Sequence, residues 1–225
     1  MRDVLIGSMP VMLWVLTVLN GLFLGLLLSM YRKNPEKKLS LIMALVVFGL
    51  FYDSLMLALG TVLPAGGLLK SLSLFRFVFH CALIPLTFVI CADALGFGAK
   101  AKKVVWILTG IVIVIGIAAG FATVLSPAQV GNVVRYASDK TLTPGWSEGI
   151  QNGLSFGPVV ILMICGIIAW VKRKNPHLFL AGFLMFVFAA LGPATGNFDL
   201  IFYISMFGEL FMTLFFWLYA KKEEK

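Results

Sequence analysis

Seven long apolar segments constrain the fold of this chain more than any other feature. Each is near or above the length of about 20 residues that an α-helix needs to cross a bilayer. The apolar runs are continuous and lack the period-two alternation of a membrane β-barrel. The sequence therefore predicts an all-α, polytopic membrane protein, with residues 1–225 forming one seven-transmembrane helix bundle. The segments lie at roughly 9–30, 39–62, 71–97, 104–125, 154–171, 178–196 and 199–220.

The composition supports a lipid environment. Hydrophobic residues make up 60% of the chain and charged residues 12%, whereas about a quarter of a soluble domain is charged. The bilayer is therefore the expected partner. All three cysteines, Cys81, Cys91 and Cys165, fall within apolar segments. Their spacing matches neither a metal site nor a disulfide framework on the loops, so we expect them to be packing residues and expect no metal.

The basic residues lie mainly in alternate loops, which indicates the orientation. Thirteen follow the odd-numbered segments and four lie on the other side. Because cytoplasmic loops are enriched in Lys and Arg, we expect the N-terminus outside, the C-terminus in the cytoplasm, and insertion in the plasma (inner) membrane. The clusters are short and close to the membrane, so the net charge of +8 does not indicate nucleic-acid binding. The thirteen are Arg32, Lys33, Lys37, Lys38, Lys100, Lys102, Lys103, Lys172, Arg173, Lys174, Lys221, Lys222 and Lys225.

Two short segments suggest an internal repeat. The sequence Arg-Lys-Asn-Pro occurs at 32–35 and at 173–176, and each copy precedes an apolar segment. This pattern is typical of a 3+1+3 arrangement, in which the fourth segment connects two parallel repeats, as in some transporter folds. Basic cytoplasmic loops with Asn-Pro turns would produce the same pattern without a repeat.

Two further features concern packing and the outer surface. Pairs of glycines four residues apart, Gly21/Gly25 and Gly116/Gly120, predict close helix contacts, either within the bundle or in a homo-oligomer. The outer loop 126–153 is the only long one. It is either a lid or binding element, or an amphipathic surface loop at the headgroup level.

An ion pair is expected between the second and third helices. At 1.5 Å per residue, Asp53 lies about 22 Å from the cytoplasmic face and Arg76 about 9 Å from the outer face. In a core of about 30 Å these depths nearly coincide. Pairing would neutralise two charges that are costly to desolvate alone. The pair is either a structural clamp or a gate.

Three further polar residues lie near the middle of the membrane. His80 is four residues after Arg76 on the same helix face, and Glu209 reaches a similar depth on the seventh helix. A buried histidine beside a buried carboxyl is well suited to move a proton. We therefore name His80, Glu209 and Asn20 as candidates for a proton or solute site. The alternative is that they form structural hydrogen bonds between helices.

Two other residues of the third segment have simpler interpretations. Asp93 lies only seven residues before Lys100, so we expect it at the cytoplasmic interface. Pro85 removes a backbone hydrogen bond inside the helix and predicts a kink below His80.

Part of the chain resembles the microbial rhodopsins. The run 64–67, with sequence Pro-Ala-Gly-Gly, followed by Arg76 and then Pro85, is similar to helix 3 of that family and the loop before it. Tyr52 and Ser54 also match the family pattern in helix 2. The resemblance implies a seven-helix fold with the N-terminus outside.

The sequence departs from that family at the positions that surround or bind its pigment, retinal. Phe79 and His80 stand where the family has a counter-ion carboxylate and a retinal-packing tryptophan. Segment 178–196 has no Trp, and segment 199–220 has no lysine. The family binds retinal covalently through that lysine, so we expect no retinal Schiff base and no other cofactor.

The sequence leaves two specific classes of function open, beside that of a structural or assembly subunit. The first is a transporter, channel or sensor, opsin-like in fold, with an outer-facing polar cavity in which the Asp53–Arg76 pair is a gate. The second is a membrane-embedded enzyme that acts on a lipid or isoprenoid with intramembrane carboxylate or histidine groups as acid and base. A polar cavity open to one side favours the first class, and a closed apolar tunnel that reaches lipid favours the second. Because no nucleophile motif or cofactor fingerprint occurs, we favour a protein that is not an enzyme.

Overall fold

Seven helical spans form the molecule. The computed structural model describes residues 2–196 and 198–223, and among these, seven helices are long and apolar enough to cross a membrane. The predicted seven-span membrane fold is therefore confirmed. Lys225, counted in the last basic cluster, lies outside the described residues. The helices are α1 (Arg2–Lys33), α2 (Lys38–Leu59), α3 (Gly67–Leu83), α4 (Leu86–Ala94), α5 (Ala99–Phe121), α6 (Gly145–Arg173), α7 (His177–Ala194) and α8 (Ile201–Glu223), and α3 and α4 together form one span.

The spans form a closed ring in chain order. Each span packs against the next, and α1 completes the ring by packing against α8. Contacts of α2 with α8 and of α4 with α6 cross the ring. The largest apolar core lies where these crossing contacts meet, in the half of the bundle that carries the basic clusters. It includes Leu27, Met43, Val47, Leu50, Ile90, Leu162, Leu178, Phe216 and Tyr219.

The loop expected at 126–153 is largely ordered. It begins with an antiparallel hairpin of β1 (Leu125–Val130) and β2 (Val133–Ser138). Gly131 in the turn has a φ of +56°, a left-handed conformation that glycine adopts without a steric penalty. The Gly131-Asn132 dipeptide between apolar residues is a hairpin signal. The expectation of one long loop overlooked this signal.

The hairpin is fixed to the ends of α2 and α3. Val134 N–H donates a hydrogen bond of 2.8 Å to the carbonyl oxygen of Gly60. A Cβ atom at Gly60 would lie 1.8 Å from the carbonyl oxygen of Val134, so only glycine permits this approach. The hydroxyl of Tyr136 donates to the carbonyl oxygen of Gly66 at 3.3 Å. We call this end of the bundle the hairpin end, and the opposite end, which carries the basic clusters, the basic end.

The start of α6 differs from the prediction. The fifth apolar segment begins at 154, but α6 begins at Gly145, because two of the polar residues before 154 form hydrogen bonds to the end of α5 and the residues just after it. Ser147 Oγ donates to the carbonyl oxygen of Ala119 at 2.7 Å. Gln151 Nε2 donates to Thr123 Oγ1 at 2.8 Å. This extension carries polar side chains of α6 into the bundle.

Pro85 interrupts the third span, as predicted. It separates α3 from α4, and because it has no N–H, the carbonyl of Cys81 lacks its usual helical donor. Gly116 of α5 approaches this carbonyl so closely that a Cβ atom there would lie 2.4 Å from the oxygen. A Cβ atom at Gly120 would lie 2.7 Å from the Cα of Val78. The Gly116/Gly120 pair therefore packs within the bundle.

The two Arg-Lys-Asn-Pro segments differ in structure. After α1, Asn34 is exposed. After α6, Lys174 has a φ of +56°, and Asn175 is fully buried, with Nδ2 donating to Glu223 Oε1 at 3.1 Å. The 3+1+3 repeat stays a prediction.

Candidate functional site

A cavity with charged groups in a mainly apolar lining lies between α3, α6, α7 and α8. It belongs to the half of the bundle next to the hairpin end, which we call the hairpin half, as opposed to the basic half. Its volume is about 500 Å³. Lys140 and Asn152 line it and are exposed, so the cavity opens at the hairpin end. From there it extends inward to His80, near the middle of its span. Its charged or titratable lining residues are Asp53, Arg76, His80, Arg135, Lys140, Glu148 and Glu209.

Asp53 and Arg76 form an ion pair at the edge of this cavity. Arg76 Nε donates to Asp53 Oδ1. The two side chains are 6% and 15% exposed respectively. The short connection between α2 and α3 makes these helices neighbours, and the similar depth of the two residues brings them into contact. Each charge therefore has a partner in a region where an isolated charge is costly.

Glu209 enters the cavity from α8. Its side chain is buried, and Oε2 accepts no hydrogen bond from the described residues. Ser205, one turn earlier on the same face, also lines the cavity. Glu209 and Asp53 line the same cavity. Carboxyl groups inside a membrane commonly take part in proton relays, so Glu209 is a candidate to hold and release a proton.

His80 lies at the boundary between the cavity and the packed core. It lines the large cavity and also a small void of about 20 Å³ that adjoins it. Leu50 and Ile84 line that void and belong to the core of the basic half. The polar region of the hairpin half therefore ends at His80.

Asn20 lies apart from these residues. It is fully buried between α1 and α2, and its Nδ2 donates to Ser54 Oγ at 3.4 Å. It is not among the described residues that line the cavity. The structure thus brings together four of the five predicted site residues, Asp53, Arg76, His80 and Glu209. Asn20 instead contacts Ser54, which follows Asp53 in the chain.

Sequence reasoning missed Arg135 as a site residue. It lies on β2, opposite Ala128, and its guanidinium carbon is 4.1 Å from the centroid of the Phe202 ring. Its Nε is buried and donates to none of the described residues. Burial, and then the nearby charge of Arg76, lower the pKa of Arg135 to about 10. The Gly-Asn turn could have revealed the strand that carries Arg135, but the arginine was interpreted only as a loop charge.

A hydrogen-bonded network closes the basic end. Arg173 Nη1 donates to Glu223 Oε2 at 2.8 Å, and Arg173 Nη2 donates to the carbonyl oxygen of Asp93 at 2.8 Å. Lys102 pairs with the carboxylate of Asp93 at 2.5 Å. The network joins α4, α5, α6 and α8. Asp93 therefore lies beside the basic residues, as predicted.

The site offers charged and polar groups but no metal cluster. Among the described residues, no group of three or more His, Cys, Asp or Glu side chains could hold a metal ion. No protein-family model matches this sequence, and no curated protein is significantly similar to it. The groups of the site can bind a charged or polar solute and can hold a proton.

Proposed function

We propose that this protein is an integral membrane transporter for a small polar solute, and that the cavity is its binding site. The main support is an asymmetry along the bundle axis. A cavity of about 500 Å³ with charged groups in its lining enters from the hairpin end, whereas the basic half is filled by the apolar core. The volume lies in the range of small-molecule pockets. Charged side chains at such depth usually mark a substrate or ion pathway.

The asymmetry favours a transporter over a channel. A conducting channel needs a continuous polar path, whereas here the path ends at His80 and the core lies beyond it. With the predicted orientation, the hairpin end faces outside and the Arg173–Glu223 network closes the cytoplasmic side. This arrangement is typical of one state of an alternating-access cycle, open outside and closed inside.

The charged residues then have distinct roles. The Asp53–Arg76 pair joins α2 to α3 and serves as a gate, because a bound charge that competes for either partner loosens this contact. Glu209 and His80 supply the proton site, because both line the cavity and intramembrane carboxyl and imidazole groups commonly form proton relays. The charged lining supports this role over that of a lipid enzyme, for which an apolar tunnel is expected.

Descent from the microbial rhodopsin superfamily remains part of the proposal. It rests on the spacing of residues 64–67, Arg76 and Pro85, and a ring of seven spans in chain order is compatible with it. Segment 199–220, which forms most of α8, contains no lysine. We therefore do not propose that the protein absorbs light through a covalently bound retinal.

Thiol labelling tests the accessibility of the cavity. In a chain whose three cysteines are replaced by alanine, Ser205→Cys should react in intact cells with a membrane-impermeant maleimide. The matched control is Thr213→Cys, two turns further along α8 and fully buried, which should stay unlabelled. Equal labelling of both positions would contradict an outward-open cavity closed at its inner end.

Proteoliposomes test transport itself. The purified protein is reconstituted with a pH-sensitive dye inside, and amino acids, carboxylates, amines and sugars are added in turn outside. We expect at least one class to enter and to change the internal pH. Glu209→Gln should abolish the pH change, while Glu36→Gln, at an exposed loop carboxylate, should not. If folded protein moves no solute of any class, transport is refuted.

A further inference from the structure

We propose that the solute is a small monocarboxylate whose far end carries a hydrogen-bond donor, and that Arg135 binds its carboxylate. This inference rests on the proposed function, because it names the ligand class of the same cavity. It depends on the unpaired charge at Arg135, on the polar groups along α8, and on the size of the cavity.

Arg135 is a partly buried cation without a carboxylate partner among the described residues. Its guanidinium is held between the Phe202 ring at 4.1 Å and the cavity, and no salt bridge joins it to a described residue. Its Nε–H is buried and unused. Buried charges are normally paired because desolvation penalises them. A ligand anion would supply the missing partner.

The charges around the cavity suit a ligand with one carboxylate. The wall carries three acidic and three basic side chains. Arg76 is paired with Asp53, whereas Arg135 forms no salt bridge with a described residue. A ligand carboxylate can therefore pair with Arg135, while Glu209 is left for the far end of the ligand. A guanidinium offers a planar pair of donors that matches a carboxylate in bidentate geometry. A dianion such as a phosphate monoester would bring more negative charge than this single arginine can balance.

The opposite end of the ligand site is defined by Glu209. Phe202, which holds Arg135, and Glu209 are seven residues apart on α8, so they share one face and are separated by about 10 Å along the helix. Ser205 lies between them and also lines the cavity. The free Oε2 of Glu209 can accept a hydrogen bond from a hydroxyl or ammonium group. A chain of a few carbons bridges these two ends.

Binding to the purified full-length protein in detergent tests this ligand class. Isothermal titration calorimetry compares four compounds of equal chain length: 4-aminobutyrate, 4-hydroxybutyrate, butyrate and butyramide. The first two should bind most tightly, butyrate more weakly, and the uncharged butyramide not at all. Arg135→Gln should weaken the binding of 4-aminobutyrate about tenfold or more, as expected for loss of a charge-assisted hydrogen bond.

Matched variants test separately how each end of the ligand is bound. Lys140→Gln, at the exposed mouth, should change affinity less than Arg135→Gln. Glu209→Gln should remove the advantage of 4-aminobutyrate over butyrate while Arg135 still binds the carboxylate. Binding of butyramide as tight as that of butyrate, or an Arg135→Gln variant with unchanged affinity, would overturn the inference.

The outcomes also separate this inference from the proposed function. If a sugar or an amine is transported while none of the carboxylates binds, the transporter stands and the ligand class is wrong. If the carboxylates bind with the predicted order but do not cross the membrane, the ligand class stands and transport is wrong.

Discussion

The two halves of the bundle differ in where their charged side chains lie. In the hairpin half, Asp53 and Glu209 are buried and Arg76 is largely buried around a cavity. In the basic half the interior is apolar, and charged groups such as Asp93 lie at the helix ends, where water reaches them. Buried charge with space around it suits binding, whereas packed apolar residues with charges at the rim suit closure. The bundle is thus open at the hairpin end and packed closed at the basic end.

The largest expected difference between the halves concerns their ion pairs. Asp53→Ala leaves Arg76 buried without its partner and should lower the free energy of unfolding by about 3 kcal/mol or more. Asp93→Ala breaks a pair whose side chains are 37% and 39% exposed, so it should cost less than about 1 kcal/mol. Unfolding by sodium dodecyl sulfate in mixed micelles, followed by circular dichroism, measures both.

A double variant provides the control for this first prediction. If Arg76 is destabilising only when unpaired, Asp53→Ala with Arg76→Ala should be more stable than Asp53→Ala alone. Equal losses for Asp53→Ala and Asp93→Ala would mean that the two halves do not differ in how they bury charge.

Close packing in the basic half predicts the next effect. A Cβ atom at Gly166 of α6 would lie 2.5 Å from the backbone of Phe179 on α7, so Gly166→Ala should cost about 1–3 kcal/mol. Gly157 on the same helix has no described atom within 4 Å of such a position. Gly157→Ala should therefore be neutral or slightly stabilising. The same assay measures the free energy of unfolding of both variants. Equal effects at both glycines would refute a tightly packed α6–α7 contact.

Weakening the network at the basic end should alter access more than stability. The Arg173 and Glu223 side chains are 32% and 26% exposed, so Glu223→Gln should cost less than about 1 kcal/mol. Helix α8 should nevertheless separate from α6 more often. We therefore expect faster maleimide labelling of Thr213→Cys in inside-out vesicles when Glu223→Gln is added. An unchanged labelling rate would exclude this network as an inner closure.

The smallest effect concerns the pH dependence of the hairpin. Hydrogen bonds from the side chain of Ser126 and from the side chain and backbone of Thr141 hold the pKa of Asp139 at about 2. Because this pKa is below its unfolded value of about 4, Asp139 stabilises the hairpin above about pH 4. That contribution is lost as the pH falls towards 2.

Amide hydrogen exchange of β1 and β2 between pH 5 and 3, corrected for the intrinsic exchange rate, measures this contribution. Protection should fall with pH in the wild type and should depend less on pH in Asp139→Asn. An identical pH dependence in both proteins would contradict the assigned role of Asp139.

The sequence predicted the spans and four of the residues that line the cavity, because both depend on local or one-dimensional information. Apolar length identifies a span, and rise per residue gives the depth of Asp53, Arg76 and Glu209. Arg135 could not be found this way, because its place depends on how a hairpin folds back over α2 and α3. The extended start of α6 was missed for a similar reason. Its polar residues find partners on α5 that hydropathy alone does not show.

The contact between Gly60 and Val134 has a consequence for which substitutions the chain can accept. The contact is made by backbone atoms of both residues. It therefore requires that residue 60 has no side chain, but it does not require a particular side chain at residue 134. In a saturation library, position 60 should accept glycine alone, whereas position 134 should accept many apolar residues. Position 134 is thus free to vary among apolar residues, provided that the glycine beneath it does not change.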